Sequence, residues 1–216
     1  MHFIFKRISL AVVVFVSAIF IYSDAKSQGV VPFAVGGSLS YQWISDSTYL
    51  VNVEVTYGCR HSNAIMDSIL VFYKNTCTTD SGYFFVKKNN IIPGNGNFVI
   101  TQCGINNCLY SSTINNFGVV KWIYSDTFLL PRSCNNWIFR SNVCTRPWFD
   151  NLWSVSSQQL FLEAKLNHQS GLHNSSPLLT GAPIYITCPS FPSQYNPGAV
   201  DVDNDSLHFE LIQPRT

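Results

Sequence analysis

The stretch YLVNVEVTY, residues 49–57, places Tyr49, Val51, Val53, Val55 and Tyr57 on one side of an extended chain and Leu50, Asn52, Glu54 and Thr56 on the other. Side chains change face at every residue only in a strand, so this is a strand with one face in a core and one nearer water. Working outward, residues 68–73, 83–86, 98–102 and 119–124 are rich in the β-branched and aromatic types that fit a pleated surface. Asn89-Asn90, Pro93-Gly94-Asn95-Gly96-Asn97, Asn106-Asn107, Asn115-Asn116 and Asn135-Asn136 break the chain between such segments. Leu160, Leu162, Ala164 and Leu166 alternate with Phe161, Glu163 and Lys165, a further strand, and residues 182–187 and 207–212 add two more. Helical periodicity is almost absent. Eight to ten short strands with turn signals between them predict an all-β chain, an antiparallel Ig-like β-sandwich. No βαβ alternation occurs, which excludes a Rossmann-like or P-loop nucleotide site.

At the N-terminus, Lys6 and Arg7 precede an apolar run over residues 8–22, and Ser23-Asp24-Ala25 follows it. That order is the pattern of a secretory signal peptide over residues 1–25, cut after Ala25. The run is shorter than the roughly 20 residues a membrane span needs, so the mature chain is not expected to be an integral membrane protein. From residue 26 onward there are 11 Lys and Arg against 11 Asp and Glu. This balance predicts no nucleic-acid partner and no anionic-lipid surface. Charged residues are 12% of the chain where about 25% is usual, with Asn, Ser, Thr and aromatics in their place.

All seven cysteines lie beyond the signal segment, as suits an oxidising compartment. Cys103 and Cys108 would close a small loop, and Cys134 with Cys144 would bridge one turn. Cys59, Cys77 and Cys188 remain, one of them odd, and the connectivity stays open. No paired Cys/His knuckle of a zinc site is present.

A boundary falls within NHQSGLHNSSP, residues 167–177, where small and polar residues replace the alternation. It divides a cysteine-containing domain, residues 26–173, from residues 174–216, which form either the start of a second β module or strands packing back on the first.

Enzymatic motifs are sparse. Gly36-Gly37-Ser38-Leu39-Ser40 lacks the second glycine of a nucleophile elbow, and no H-E-x-x-H occurs. Cys59 and His61 read as a disulfide half beside a surface histidine, and His168 and His173 as residues of a solvated loop rather than metal ligands. Glu54 and Glu163 are the carboxylates a glycosidase would need face to face. Trp43, Trp122, Trp137, Trp148 and Trp153 are the rings a glycan platform would need, or else core. The sharpest feature is DVDND, residues 201–205, with Asp201, Asp203 and Asp205 at alternate positions. Oxygen ligands so spaced on a turn suit calcium; turn chemistry alone also favours them. An EF-hand would need a glycine at position 206 and a glutamate at 212, where Ser206 and Ile212 stand. Nothing here requires a cofactor; calcium is the ion the aspartates suggest.

The ordered series GGSLSYQW, YLVNVEVTYGC, LLPRSCNNW, CTRPWFDNL, LFLEAKLN, NSSPLL and YNPGAVDVDNDSLHFELIQP resembles the N-terminal region of large exported bacterial surface proteins described as gliding-motility-associated or PKD-domain-containing. The resemblance spans about residues 36–214. It implies a cysteine-bearing β region ahead of Ig-like, PKD-like or cadherin-like modules, with NSSP at 174–177 opening such a module and Asp201, Asp203 and Asp205 as its acidic turn. Asn204 stands where the family commonly has glycine, and Asn tolerates the left-handed backbone nearly as well. Cadherins share their calcium with an acidic linker, whereas residues 167–177 hold no Asp or Glu, so any calcium site here is expected to be weak. No PKD repeat array or sorting domain follows, as in a fragment of a longer protein. The expected function is a non-enzymatic secreted or cell-surface module, adhesive or structural, whose partner is a surface glycan or protein. The alternative is a carbohydrate-binding module, free or attached to a glycoside hydrolase.

Overall fold

The computed structural model describes residues 33–58, 65–91, 96, 98–99, 119–145, 158–169, 172–181 and 196–213. The signal peptide expected over residues 1–25 and the strand expected at 182–187 lie outside them. Among the described residues there is no helix, hence none long and apolar enough to cross a membrane. The strands are β1 (Ala34–Ser45), β2 (Thr48–Gly58), β3 (Ser68–Asn75), β4 (Ser81–Lys88), β5 (Phe98–Val99), β6 (Val119–Leu129), β7 (Cys134–Thr145), β8 (Gln159–His168), β9 (Leu178–Leu179) and β10 (Ala199–Val200).

All pairings are antiparallel. One path runs β1-β2-β6-β4-β3-β7-β8, with β5 beside β6, while β9 and β10 form a separate pair. β2 and β6 pair along their whole length, but β4 joins β6 only at Lys87 and Lys88, and β3 joins β7 only over Phe72–Asn75. At these short joints the sheet folds over itself into a sandwich that nearly closes as a barrel, bringing β1 to β8: the Tyr41 hydroxyl donates to the Lys165 carbonyl at 2.8 Å. Gly37 permits this approach, because a Cβ there would strike the Glu54 carbonyl and press on Leu160.

The alternation predicts the inner face of β2, where Tyr49, Val51, Val53, Val55 and Tyr57 are all fully buried, while Thr56 of the opposite face is buried as well. Trp137, Phe139 and Val143 of β7 and Leu162, Ala164 and Leu166 of β8 complete that core. Each such side chain contributes about 1.5–3 kcal/mol by leaving water. Phe84 of β4 stacks on Phe128 of β6 at 4.4 Å between centroids, filling the splay where those strands part.

Two expectations need correction. Asn135-Asn136 is not a break but part of β7, absorbed by a register shift between Cys134 and Trp137 opposite β8. Residues 207–212 form no strand: the segment has no regular secondary structure, no described strand pairs with it, and Phe209, Leu211 and Ile212 stay exposed. Alternation supplies a strand's faces but not its neighbour.

Candidate functional site

Residues 174–176 run along the edge of β1. Tyr41 N donates to Ser176 Oγ at 2.8 Å, Ser176 N returns a bond to the Tyr41 carbonyl at 2.8 Å, and Trp43 N donates to Ser175 Oγ at 3.2 Å. Serine hydroxyls thus do what a neighbouring strand's carbonyls would do, and part of a sheet edge is closed. Asn174 Nδ2 reaches the Tyr41 hydroxyl at 3.3 Å, and the His173 ring packs on Trp43 with centroids 4.1 Å apart.

The three aspartates act on this strap. Oδ1 of Asp201 accepts the amides of Asp203 and Asp205 at 2.9 and 3.1 Å, an Asx-type turn. Asn204 sits in it at φ 64°, the left-handed backbone expected of that position. Oδ2 of Asp203 then accepts the amide of Ser175. Two of the three carboxylates therefore spend an oxygen on backbone amides. Among the described residues no three His, Cys, Asp or Glu side chains come together as a metal site would require.

Beneath the strap lies a polar cluster that the sequence does not announce. His168 ends β8 and is buried, not part of a solvated loop; its Nδ1 is 3.1 Å from the Tyr49 hydroxyl and its Nε2 3.1 Å from Ser47 Oγ. Burial, with the nearby His173, holds the His168 pKa below the usual value. Burial above all, then the charges of Tyr49, Asp201 and Asp203, push the Tyr41 pKa up to about 12, against the lowering effect of the Asn174 hydrogen bond. Tyr49 is raised for the same first reason, with Asp203 adding to it. These groups stay neutral at ordinary pH and knit β1, β2, β8 and the strap together.

Cys134 pairs with Cys77 of the β3–β4 connection, Cα atoms 5.9 Å apart, not with Cys144. The correction follows from β7: Cys134 and Cys144 lie near its opposite ends, about 30 Å apart along an extended strand, and a disulfide bridges under about 7 Å. Cys59, Cys103, Cys108 and Cys188 lie outside the described residues, as do His61, Trp148 and Trp153. Glu54 and Glu163 are each held by a cation on a neighbouring strand, Lys121 at 3.3 Å and Arg140 at 2.7 Å. Trp137 is fully buried, and Trp43 and Trp122 are half-buried.

The outer face of β4, β3, β7 and β8 is unlike the rest of the surface. Tyr83, Phe72, Arg140 and Glu163 form one row across the four strands. Phe72, Tyr83 and Phe85 are 45%, 64% and 51% exposed and touch edge to face, with centroids 6.4 and 6.2 Å apart and planes at 64° and 84°. Phe72 and Tyr83 border a shallow depression of about 310 Å³ floored by Ile138. Lys74, Lys87 and Lys165 surround the rings. No family model, curated protein or solved structure matches the chain.

Proposed function

We propose that this chain is an exported, non-enzymatic β module with an adhesive or structural role in a larger cell-surface protein. The observation that carries the adhesive part is the cluster of Phe72, Tyr83 and Phe85 on a sheet face. Three large rings left in water on a rigid, disulfide-braced sheet cost solubility unless something covers them, and such clusters mark contact surfaces. Their edge-to-face setting offers no flat platform for a sugar ring, which favours a protein surface over the carbohydrate-binding alternative. The Cys77–Cys134 bridge suits an oxidising compartment. The polar clusters at the strap have a sufficient role in closing the sandwich, and no reaction is needed to account for them.

Retention of the purified mature chain on cell-envelope fragments tests this reading. The triple variant Phe72→Ser, Tyr83→Ser, Phe85→Ser should lose most of the retention while melting as the parent does. Equal retention of parent and variant would overturn it.

A further inference from the structure

From residue 26 onward the charges balance in number but not in place. Of the seven Lys and Arg side chains described, Lys88, Lys121, Arg132 and Arg140 are ion-paired with Asp67, Glu54, Asp80 and Glu163. The other three, Lys74, Lys87 and Lys165, form no ion pair among the described residues. All three stand on the aromatic face, where they are exposed and project opposite to the buried residues beside them on β3, β4 and β8. Of the six described acids outside those pairs, Asp46 and Asp126 stand on the β1–β2 turn and β6, and the other four, Asp201, Asp203, Asp205 and Glu210, gather in residues 196–213.

This second region also leaves apolar side chains in water. Phe209 is 60%, Leu211 102% and Ile212 66% exposed, on a segment that no described strand pairs. We propose that the 205–212 segment of one copy docks on the aromatic, lysine-flanked face of a second copy, head to tail. This names the partner of the face described above and rests on reading that face as a contact surface.

The dimensions agree. Lys74 and Lys165 flank Ile138 at one end of the face, and Lys87 lies opposite Ser68 at the other. Six residues of β3 separate the two rows, about 20 Å, with Phe72, Tyr83 and Phe85 between them. Docked as an extended strand, the segment presents Asp205, Leu207, Phe209 and Leu211 on one side over about 20 Å, with Glu210 on the other. An acid followed by apolar side chains thus meets cations followed by aromatic rings. Both surfaces are exposed within one copy, so they do not satisfy each other there. Two different complementary patches on one molecule make a heterologous contact, which propagates as an open chain rather than closing as a symmetric pair.

Sedimentation velocity over rising concentration of the mature chain tests this. The parent should show an average mass that climbs with concentration and falls back in 0.5 M salt, because exposed charge pairs are screened. Phe209→Ser with Leu211→Ser blocks the segment, and Tyr83→Ser with Lys74→Glu blocks the face; each variant alone should remain monomeric. Mixed in equal amounts, they should form a species of twice the monomer mass and nothing larger, since each supplies the one surface the other lacks. All these positions are exposed, so unchanged melting shows that the fold is intact. Assembly that survives the segment variant overturns the inference. A parent that stays monomeric, yet loses envelope retention when the face is altered, also overturns it and identifies an outside partner, leaving the adhesive reading in place. If the parent neither assembles nor depends on the face for retention, both fall.

Discussion

The backbone amide of Ser175 donates to Oδ2 of Asp203, tying the strap on β1 to an acidic turn 28 residues further along the chain. Ser175 and Ser176 are buried, so their polar groups have little water to fall back on. Asp203→Ala leaves the Ser175 amide without its acceptor, which costs about 1–3 kcal/mol for a buried donor. A lower thermal midpoint is expected, together with faster amide exchange at Ser175, Ser176, Tyr41 and Trp43. Asp203→Asn keeps an acceptor oxygen and should lose much less. Exchange at the strap equal to that of the parent would show that the turn does not hold it.

Removal of the Cys77–Cys134 bridge acts mainly on the unfolded chain. The bond closes a loop of 57 residues, for which chain entropy predicts about 4 kcal/mol. Cys77→Ser with Cys134→Ser should therefore lower the unfolding free energy read from urea melts by that order. Unfolding in reductant should lower the parent to a similar level. A double variant as stable as the oxidised parent would contradict the pairing.

Stability should fall at both ends of the pH range, for opposite reasons. His168 has its folded pKa below the unfolded value near 6.5, so the unfolded chain takes up a proton first. Its contribution is fully present above about pH 6.5 and is lost as pH falls through the lowered value. Tyr41, raised to about 12 from an ordinary 10, behaves in reverse. Its contribution is complete below pH 10 and is lost as pH rises from 10 through 12, a change of about 2–3 kcal/mol. Urea melts at stepped pH should show both slopes. His168→Gln should flatten the acid one, and Tyr41→Phe the alkaline one, each at the cost of a hydrogen bond. An acid slope unchanged in His168→Gln would assign it to other groups.

Much of the fold is legible residue by residue. Tyr49 to Tyr57 and Leu160 to Leu166 alternate regularly, and the structure buries the inner faces so predicted, Leu160 only in part, with Thr56 of the outer face buried too. β7 was obscured because Asn135-Asn136 carries turn chemistry, and only the partner strand β8 shows that the pair is a bulge within a strand. His168 looked like a loop residue because Tyr49 and Ser47, its partners, lie 119 and 121 positions away. The lysine-flanked face was invisible in the charge balance, since a count of equal charges carries no information on where they gather.

Local features follow from the residue order alone. A period of two sets which side chains share a face, Asp and Asn shape the turn at 201–205, and the left-handed position within that turn falls to Asn204. Neighbours were decided only by the tertiary structure: Cys77 for Cys134, Ser175 for Asp203, Phe72 beside Tyr83 and Arg140. The reason is physical. Alternation and turn propensity act through a few bonds of one chain, while sheet order and edge closure depend on how buried area and hydrogen bonds are shared among strands far apart in sequence. The alternation at 207–212 illustrates the division: it has the pattern of a strand and no sheet in these residues to join.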